Sequence, residues 1–402
     1  MSLSSSPGFK RHSYYALCCE EPFRVFFPLG LLAGIVGLFL WPLFLWGVWK
    51  TYPVVIHSRL MVEGFMAAFI FGFLGTAGPR ILGAANFTRP ELGALLLLYA
   101  ASMGHHLAGS IVAGDAMFLA LLLSFVAILG IRFARREEIP PPNFVLVGFG
   151  MLSAIVGTAL IILSGFAPSF VRLHLFGSLL LHQGFVLLPV IGVGVFLFPR
   201  FLGTPPSPDM AELRKPTRLW KRKALIAAAT AFVIFGSFAV ESFGYVREAG
   251  ALRFLAATFY TATQMPAVLR FGRCPFLGHC VRGSTWLLLV GLLWPVILPA
   301  YRVAGLHLVF IGGFMLVTFA VATRVMLGHS GQAHLFKKPL PFLISAGVLL
   351  LIGMGARIGA DFMPSTAGRN AHLLYGALLC ISAALIWGIR LVPRVTIPDT
   401  ED

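Results

Sequence analysis

The groups in this 402-residue chain best suited to chemistry are its eleven histidines. Seven of them, His57, His105, His106, His174, His182, His307 and His372, stand at or inside apolar stretches. Imidazole is the commonest metal ligand and a poor neighbour for lipid. Imidazoles on several facing helices are the usual means by which a bundle holds haem or a metal ion. Other polar groups are sparse inside the same stretches. Glu63 reads as the one intramembrane carboxylate, placed to relay protons or to hydrogen-bond a ligand histidine. Arg59, Arg172, Arg302 and Arg369 read as loop charges on the same side, where a guanidinium matches the propionates of a haem. The sequence contains no P-loop, no dinucleotide-binding glycine run, no His-Glu-x-x-His and no Cys-x-x-Cys-His.

The elements that must position these groups are membrane helices. The chain is 58% hydrophobic and 11% charged, with a mean hydropathy of +0.88. From Leu306 to Leu327 the only charge is Arg324. At about 1.5 Å per residue that run reaches roughly 33 Å, enough to cross a bilayer. Similar runs predict an all-α polytopic membrane protein with about twelve spans. The eighth, near 250–270, is the weakest, because Arg253, Gln264 and Pro266 interrupt it. The net charge of +16 does not mark a nucleic-acid partner. The basic residues lie in short loops, which is how topology is written. With the N-terminus inside, roughly three quarters of the 31 basic residues face inward, so both termini are expected in the cytoplasm. The expected division is a tail at 1–24, a six-helix half at 25–198, a basic linker at 199–223, a second half at 224–393 and a tail at 394–402. The Pro-rich linker reads as solvated and in touch with anionic lipid headgroups. The five cysteines form no disulfide framework.

This topology puts the seven histidines in the outer half of the membrane, on five helices. His329 ends the tenth span, roughly 33 Å from His307, so one centre cannot use both. His57 with Gly64-Phe65-Met66 is echoed by His307 with Gly313-Phe314-Met315. The spacing differs by one, and the echo carries little weight here.

Two stretches resemble a known family. Glu-Pro-Phe-Arg-Val-Phe-Phe-Pro-Leu-Gly, Glu21–Gly30, resembles the opening of the NnrS family of bacterial membrane proteins. Thr-Arg-Val-Met-Leu-Gly-His-Ser-Gly, Thr323–Gly331, resembles that family's Thr-Arg-x-x-Leu-Gly-His-Thr-Gly signature. The resemblance implies a twelve-helix bacterial inner-membrane protein carrying haem and copper, linked to the nitric oxide response and to protection from nitrosative stress. It makes His57 and His307 the first ligand choices, with His105, His106, His182 and His372 as the remaining candidates for the cofactor. Of these, His105 and His106 join His57 and His307 as candidates for a metal. His329 is assigned to the inner end, as a helix-terminal residue or part of a separate site. The sequence departs from the family where His-x-His-Glu-Met is usual: it reads His57-Ser58-Arg59-Leu60-Met61. A ligand is then missing, or comes from Glu63, His105 or His106. Turnover of nitric oxide would need protons and a respiratory electron donor, and no redox domain or covalent haem motif receives electrons. Binding, sensing or protection is therefore expected over fast reduction. The competing readings are a transporter, and a factor that delivers haem or metal to a respiratory enzyme.

Overall fold

The computed structural model describes residues 14–166, 169–204 and 215–398. It is all-helical, with no strand among these residues. A short helix α1, Tyr14–Glu20, precedes twelve long ones. These are α2 Phe23–Leu45, α3 Val54–Leu82, α4 Arg89–Leu107, α5 Ile111–Ala134, α6 Phe144–Gly165 and α7 Val171–Leu202, then α8 Arg218–Ser242, α9 Val246–Gln264, α10 Phe276–Ile297, α11 Pro299–Gly328, α12 Pro341–Ala360 and α13 Thr366–Leu391. Ten of the twelve are long and apolar enough to cross a membrane. The two that fall short are α4 and α9, whose ends carry Arg89, Glu91 and His105–His106, or Arg247, Glu248 and Gln264.

The helix ends follow local chemistry. Thr88 and Glu91 form a reciprocal capping box at the start of α4, satisfying backbone donors that have no partner inside the helix. Thr217 and Ser365 cap α8 and α13 in the simpler way. Gly83 and Gly203 close α3 and α7 in the left-handed conformation, at φ 58° and 71°, which side chains disfavour.

Contacts between loops order the helices in depth. Arg24, at the start of α2, donates to the carbonyls of Val395 and Ile397 at 2.8 and 2.7 Å, so both ends of the described chain meet on one face. The far end of α3 joins them through Arg80–Glu21 at 2.7 Å. The end of α11 joins through His329–Glu21 at 2.5 Å. Trp220 in the first turn of α8 reaches Pro140 after α5 at 3.0 Å, and the α7 terminus at Gly203 lies against Pro275 before α10. Arg59, His106, Glu241, Arg302 and Arg357 occupy the opposite ends of their helices. The doubtful eighth segment fits this alternation: α9 starts beside Glu241 and ends at a pocket shared with Asn143, Pro199 and Lys223. Its Arg253 is neither interfacial nor lipid-facing. It is 3% exposed, bonded to Gln183 at 2.5 Å and to Ser237 at 3.1 Å, and paired with Glu241. A buried charge of this kind persists only when paired. The bond of Arg253 to Gln183 joins the two expected halves, and those of Arg24 to Val395 and Ile397 join the two expected tails.

Three helices depart from α geometry at one level. Leu60–Met66 in α3, Leu180–Gly184 in α7 and Leu308–Met315 in α11 are π-helical. Each adds a residue to the turn, and such stretches concentrate at functional sites. The discounted echo is therefore structural. His57 and His307 each precede a π-helical stretch holding Gly-Phe-Met. His182 lies inside the third.

Candidate functional site

The three π-helical stretches bring one histidine each to a single cavity. His57, His182 and His307 line it with Met61, Met66 and Met315. Its volume is about 180 Å³. The walls are mostly apolar, with Trp41, Phe310 and Leu373 among them, and Arg357 is the one cation on the lining. Arg357 is held by Asp361 at 3.0 Å, one helical turn away.

Hydrogen bonds fix which ring nitrogen of each histidine is available. His57 Nδ1 lies 2.9 Å from the Gly37 carbonyl. His307 Nδ1 lies 2.8 Å from the Val303 carbonyl. A carbonyl only accepts, so each Nδ1 carries the proton and each Nε2 presents a bare lone pair. Neither Nε2 has a protein partner among the described residues. A ligating histidine is usually oriented in this way, with the other nitrogen donating to a carbonyl. His182 differs. Its Nε2 accepts from Arg59 Nη1 at 3.2 Å. Arginine only donates, so His182 carries its proton on Nδ1, and its Nε2 lone pair is occupied.

Behind His182 lies a buried ion cluster. Arg59 is 4% exposed. It grips Asp115 through two bonds of 2.6 and 3.1 Å, a fork that matches carboxylate geometry. Its Nε stands 3.1 Å from Glu63 Oε1, within ion-pair range but without hydrogen-bond alignment. The other Glu63 oxygen is 2.9 Å from His106 Nε2, so a proton lies between them. His106 is fully buried, and its Nδ1 has no partner. Gly114 makes room for that ring: a Cβ there would sit 2.4 Å from it. One guanidinium faces two carboxylates, and one further proton neutralises the group. Glu63, His106 and Asp115 present donor atoms within 4.8 Å of one another, close enough to hold a metal ion. Arg59 already supplies the positive charge at that position, so a metal there would have to displace it.

The expected site residues therefore divide. His57, His182 and His307 share the cavity. His106 and Glu63 are bonded to each other behind it. His105, the next residue on α4, is exposed and joins neither group. His174 pairs with Ser164 Oγ at 3.0 Å. His372 bonds the Gly368 carbonyl at 2.8 Å and packs on Gly359, just outside the lining. Arg59 is a buried partner of carboxylates rather than a loop charge. Arg302 pairs with Glu241 at 3.1 Å. Glu63 is not the sole buried carboxylate, since Asp115 and Glu241 are 2% and 6% exposed; arginines from other helices draw both inward. Arg357 and the methionines Met66 and Met315 were missed as site residues. Arg357 looked like a loop charge, and methionine in an apolar run looks like core. The echo ending in Met66 and Met315 was the signal that could have found the pair.

His329 lies at the other end of α11. Its Nδ1 meets Glu21, and its carbonyl accepts from Arg24 at 3.0 Å. Glu21 is 3% exposed and also receives Arg24 and Arg80. Burial by itself raises the Glu21 carboxyl pKa. The hydrogen bond and charge of His329, followed by those of Arg24, outweigh it and hold the pKa at about 2.

The donor set can be tested against a haem or copper. Two histidines with unpartnered Nε2 atoms on one cavity lining are donors of the kind that would hold haem iron, and three thioethers on the same lining suit copper(I). The 180 Å³ suits an ion with a small ligand. It is below the roughly 300–1,000 Å³ usual for ligand sites, so a macrocycle would have to extend beyond the cavity. The donor types fit both groups. Among known families, the model described as NnrS protein matches residues 18–398, nearly the whole chain. No curated protein matches it.

Proposed function

The chain belongs to the NnrS family, whose members serve the nitric oxide response, and we propose that it is a haem protein of the bacterial inner membrane that binds nitric oxide and protects against nitrosative stress. The observation that carries this reading is the pair of bare Nε2 atoms of His57 and His307, each fixed by a carbonyl bond on the opposite nitrogen and both on the wall of one cavity. These two residues would hold haem. Met61, Met66 and Met315 would hold copper. Haem iron, when bound, supplies a coordination position for nitric oxide.

The chain's own residues do the rest. The apolar walls exclude water and lower the dielectric around the ligand. His182, with Arg59 on its Nε2, offers an Nδ1–H donor at the cavity wall. The Glu63–His106 pair holds a proton within the cluster that Arg59 links to His182. An electron donor from the respiratory chain would be needed for turnover, so binding and protection fit the chain better than fast reduction. The meeting of both ends of the described chain on one face supports an even number of crossings; we read these as twelve, with both termini cytoplasmic and the outer half carrying the cavity.

The test is an optical spectrum with metal analysis of the purified protein, followed by nitric oxide added to the reduced form. A Soret band that shifts without consumption of nitric oxide is expected. Sustained consumption with an artificial donor, abolished in Glu63→Gln, would make the protein an enzyme. A colourless protein whose deletion lowers the metal content of a respiratory enzyme would instead make it a delivery factor.

A further inference from the structure

A second apolar space, more open to its surroundings than the histidine cavity, lies among the same three helices and Phe27 of α2, on the inner side of the π-helical level. Met66 lines both it and the histidine cavity. On α3 its walls run from Met66 to Leu74, on α7 from Val186 to Phe198, and on α11 from Val317 to Ala322. Eight residues of helix are about 12 Å, so the space is a long, narrow one along the bundle axis. Its volume is about 90 Å³. Thr318 is the only lining residue with a hydroxyl, amide or charge; the rest are aliphatic, aromatic, methionine, proline or glycine.

These properties select an occupant. Water needs two to four polar partners, and a single hydroxyl cannot supply them, so the walls disfavour water. A dry cavity of about 150 Å³ lined by aliphatic and aromatic groups binds benzene or xenon. One of 90 Å³ spread over such a length is too thin for a quinone ring or a lipid headgroup. An uncharged diatomic gas fits. Such a molecule also partitions into the hydrocarbon interior of a bilayer and needs no hydrogen bonds in transit.

We infer that this space is a passage by which small apolar gases reach the histidine cavity, with the flexible Met66 side chain at the junction. The choice of nitric oxide as the gas rests on the haem reading above; the passage itself does not. Met66 suits a junction because its thioether side chain has several rotatable bonds and repacks easily. The route would let the ligand arrive from within the membrane while Arg357 and Asp361 hold the polar mouth.

Two measurements test it. Crystals of the purified wild-type protein under xenon pressure should show xenon between Val190 and Val321. This readout needs no haem. In the haem-loaded protein, Val321→Trp should slow rebinding of carbon monoxide and nitric oxide after photolysis by about tenfold, the effect of a modest added barrier, with the Soret spectrum unchanged. Val190→Trp, on the facing helix, should do the same and serves if the first variant does not fold. Xenon absent from this space, or rebinding rates unchanged in a folded variant, would overturn the passage. Xenon bound in a protein that carries no haem would keep the passage and refute the functional reading. Haem present without xenon would do the opposite.

Discussion

The two ends of α11 carry a histidine each, and the two histidines are used in opposite ways. His307 faces a cavity with one nitrogen bonded to a carbonyl and the other bare. His329 sits in a knot with Glu21, Arg24, Arg80 and the C-terminal backbone, its ring tilted against that of Phe23 at 5.2 Å. Both regions contain histidine and arginine, and both join distant parts of the chain. The difference is what each leaves unsatisfied. The knot spends its charges on one another and on backbone carbonyls, which suits a structural fastening. The cavity keeps two lone pairs with no protein partner, which suits a ligand. Between them stands the Arg59 cluster, structural in its ion pairs and poised at His106, whose Nδ1 is unpartnered.

The largest effect should come from the cluster. Arg59→Leu leaves Asp115 and Glu63 buried without their cation, a loss of roughly 3–5 kcal/mol. Thermal unfolding in detergent should show it, with Arg59→Lys recovering part. A mild effect would mean that the cluster is wetter than its burial indicates, and would blur its contrast with the knot.

Ligand removal comes next. His307→Ala or His57→Ala should cut haem affinity at least about a hundredfold, since loss even of a supporting residue costs roughly 10- to 100-fold. His329→Ala should leave the Soret band unchanged. The reverse pattern, read by haem content per protein, would exchange the roles of the two ends.

The knot should answer to pH. The Glu21 carboxyl titrates at about 2, below its ordinary value of 4.5. A depressed pKa stabilises the fold above the ordinary value, and that contribution is lost as the pH falls from there through about 2. Stability measured between neutral pH and pH 3 should decline in the wild type, and Glu21→Gln should flatten that decline while costing roughly 1–3 kcal/mol at neutral pH. A slope unaltered in the variant would place the acid sensitivity elsewhere.

The smallest effect is expected at Arg302. Its side chain is 37% exposed and shares Glu241 with the buried Arg253. Arg302→Gln should cost under about 1 kcal/mol by thermal unfolding, as exposed ion pairs do. It should leave any haem spectrum intact. A lost or shifted Soret band would assign Arg302 to the cofactor after all.

Much of this was legible in the residues, for definite reasons. Membrane helices announce themselves by unbroken apolar length, so the helical class and most segment positions follow from composition along the chain. The Thr323–Gly331 and Glu21–Gly30 segments carried the family. The histidines of α3, α7 and α11 could be named as candidates because imidazole is uncommon in such surroundings. Their sorting could not be read. His105 and His106 are neighbours in sequence, yet helical rotation sends one outward and buries the other against Glu63.

The sequence alone determined what depends on local composition: apolar helices, capped starts, glycine ends, and a set of histidines out of place in lipid. The tertiary structure decided what depends on rotation about a helix axis and on partners distant in the chain. A π-helical turn shifts the register by one residue, turning His57, His182 and His307 toward one space. Arg59 and Asp115, 56 residues apart, become partners only when α3 packs on α5. Which histidine nitrogen is bare follows from carbonyls and guanidinium groups that only the packed bundle brings within hydrogen-bond reach.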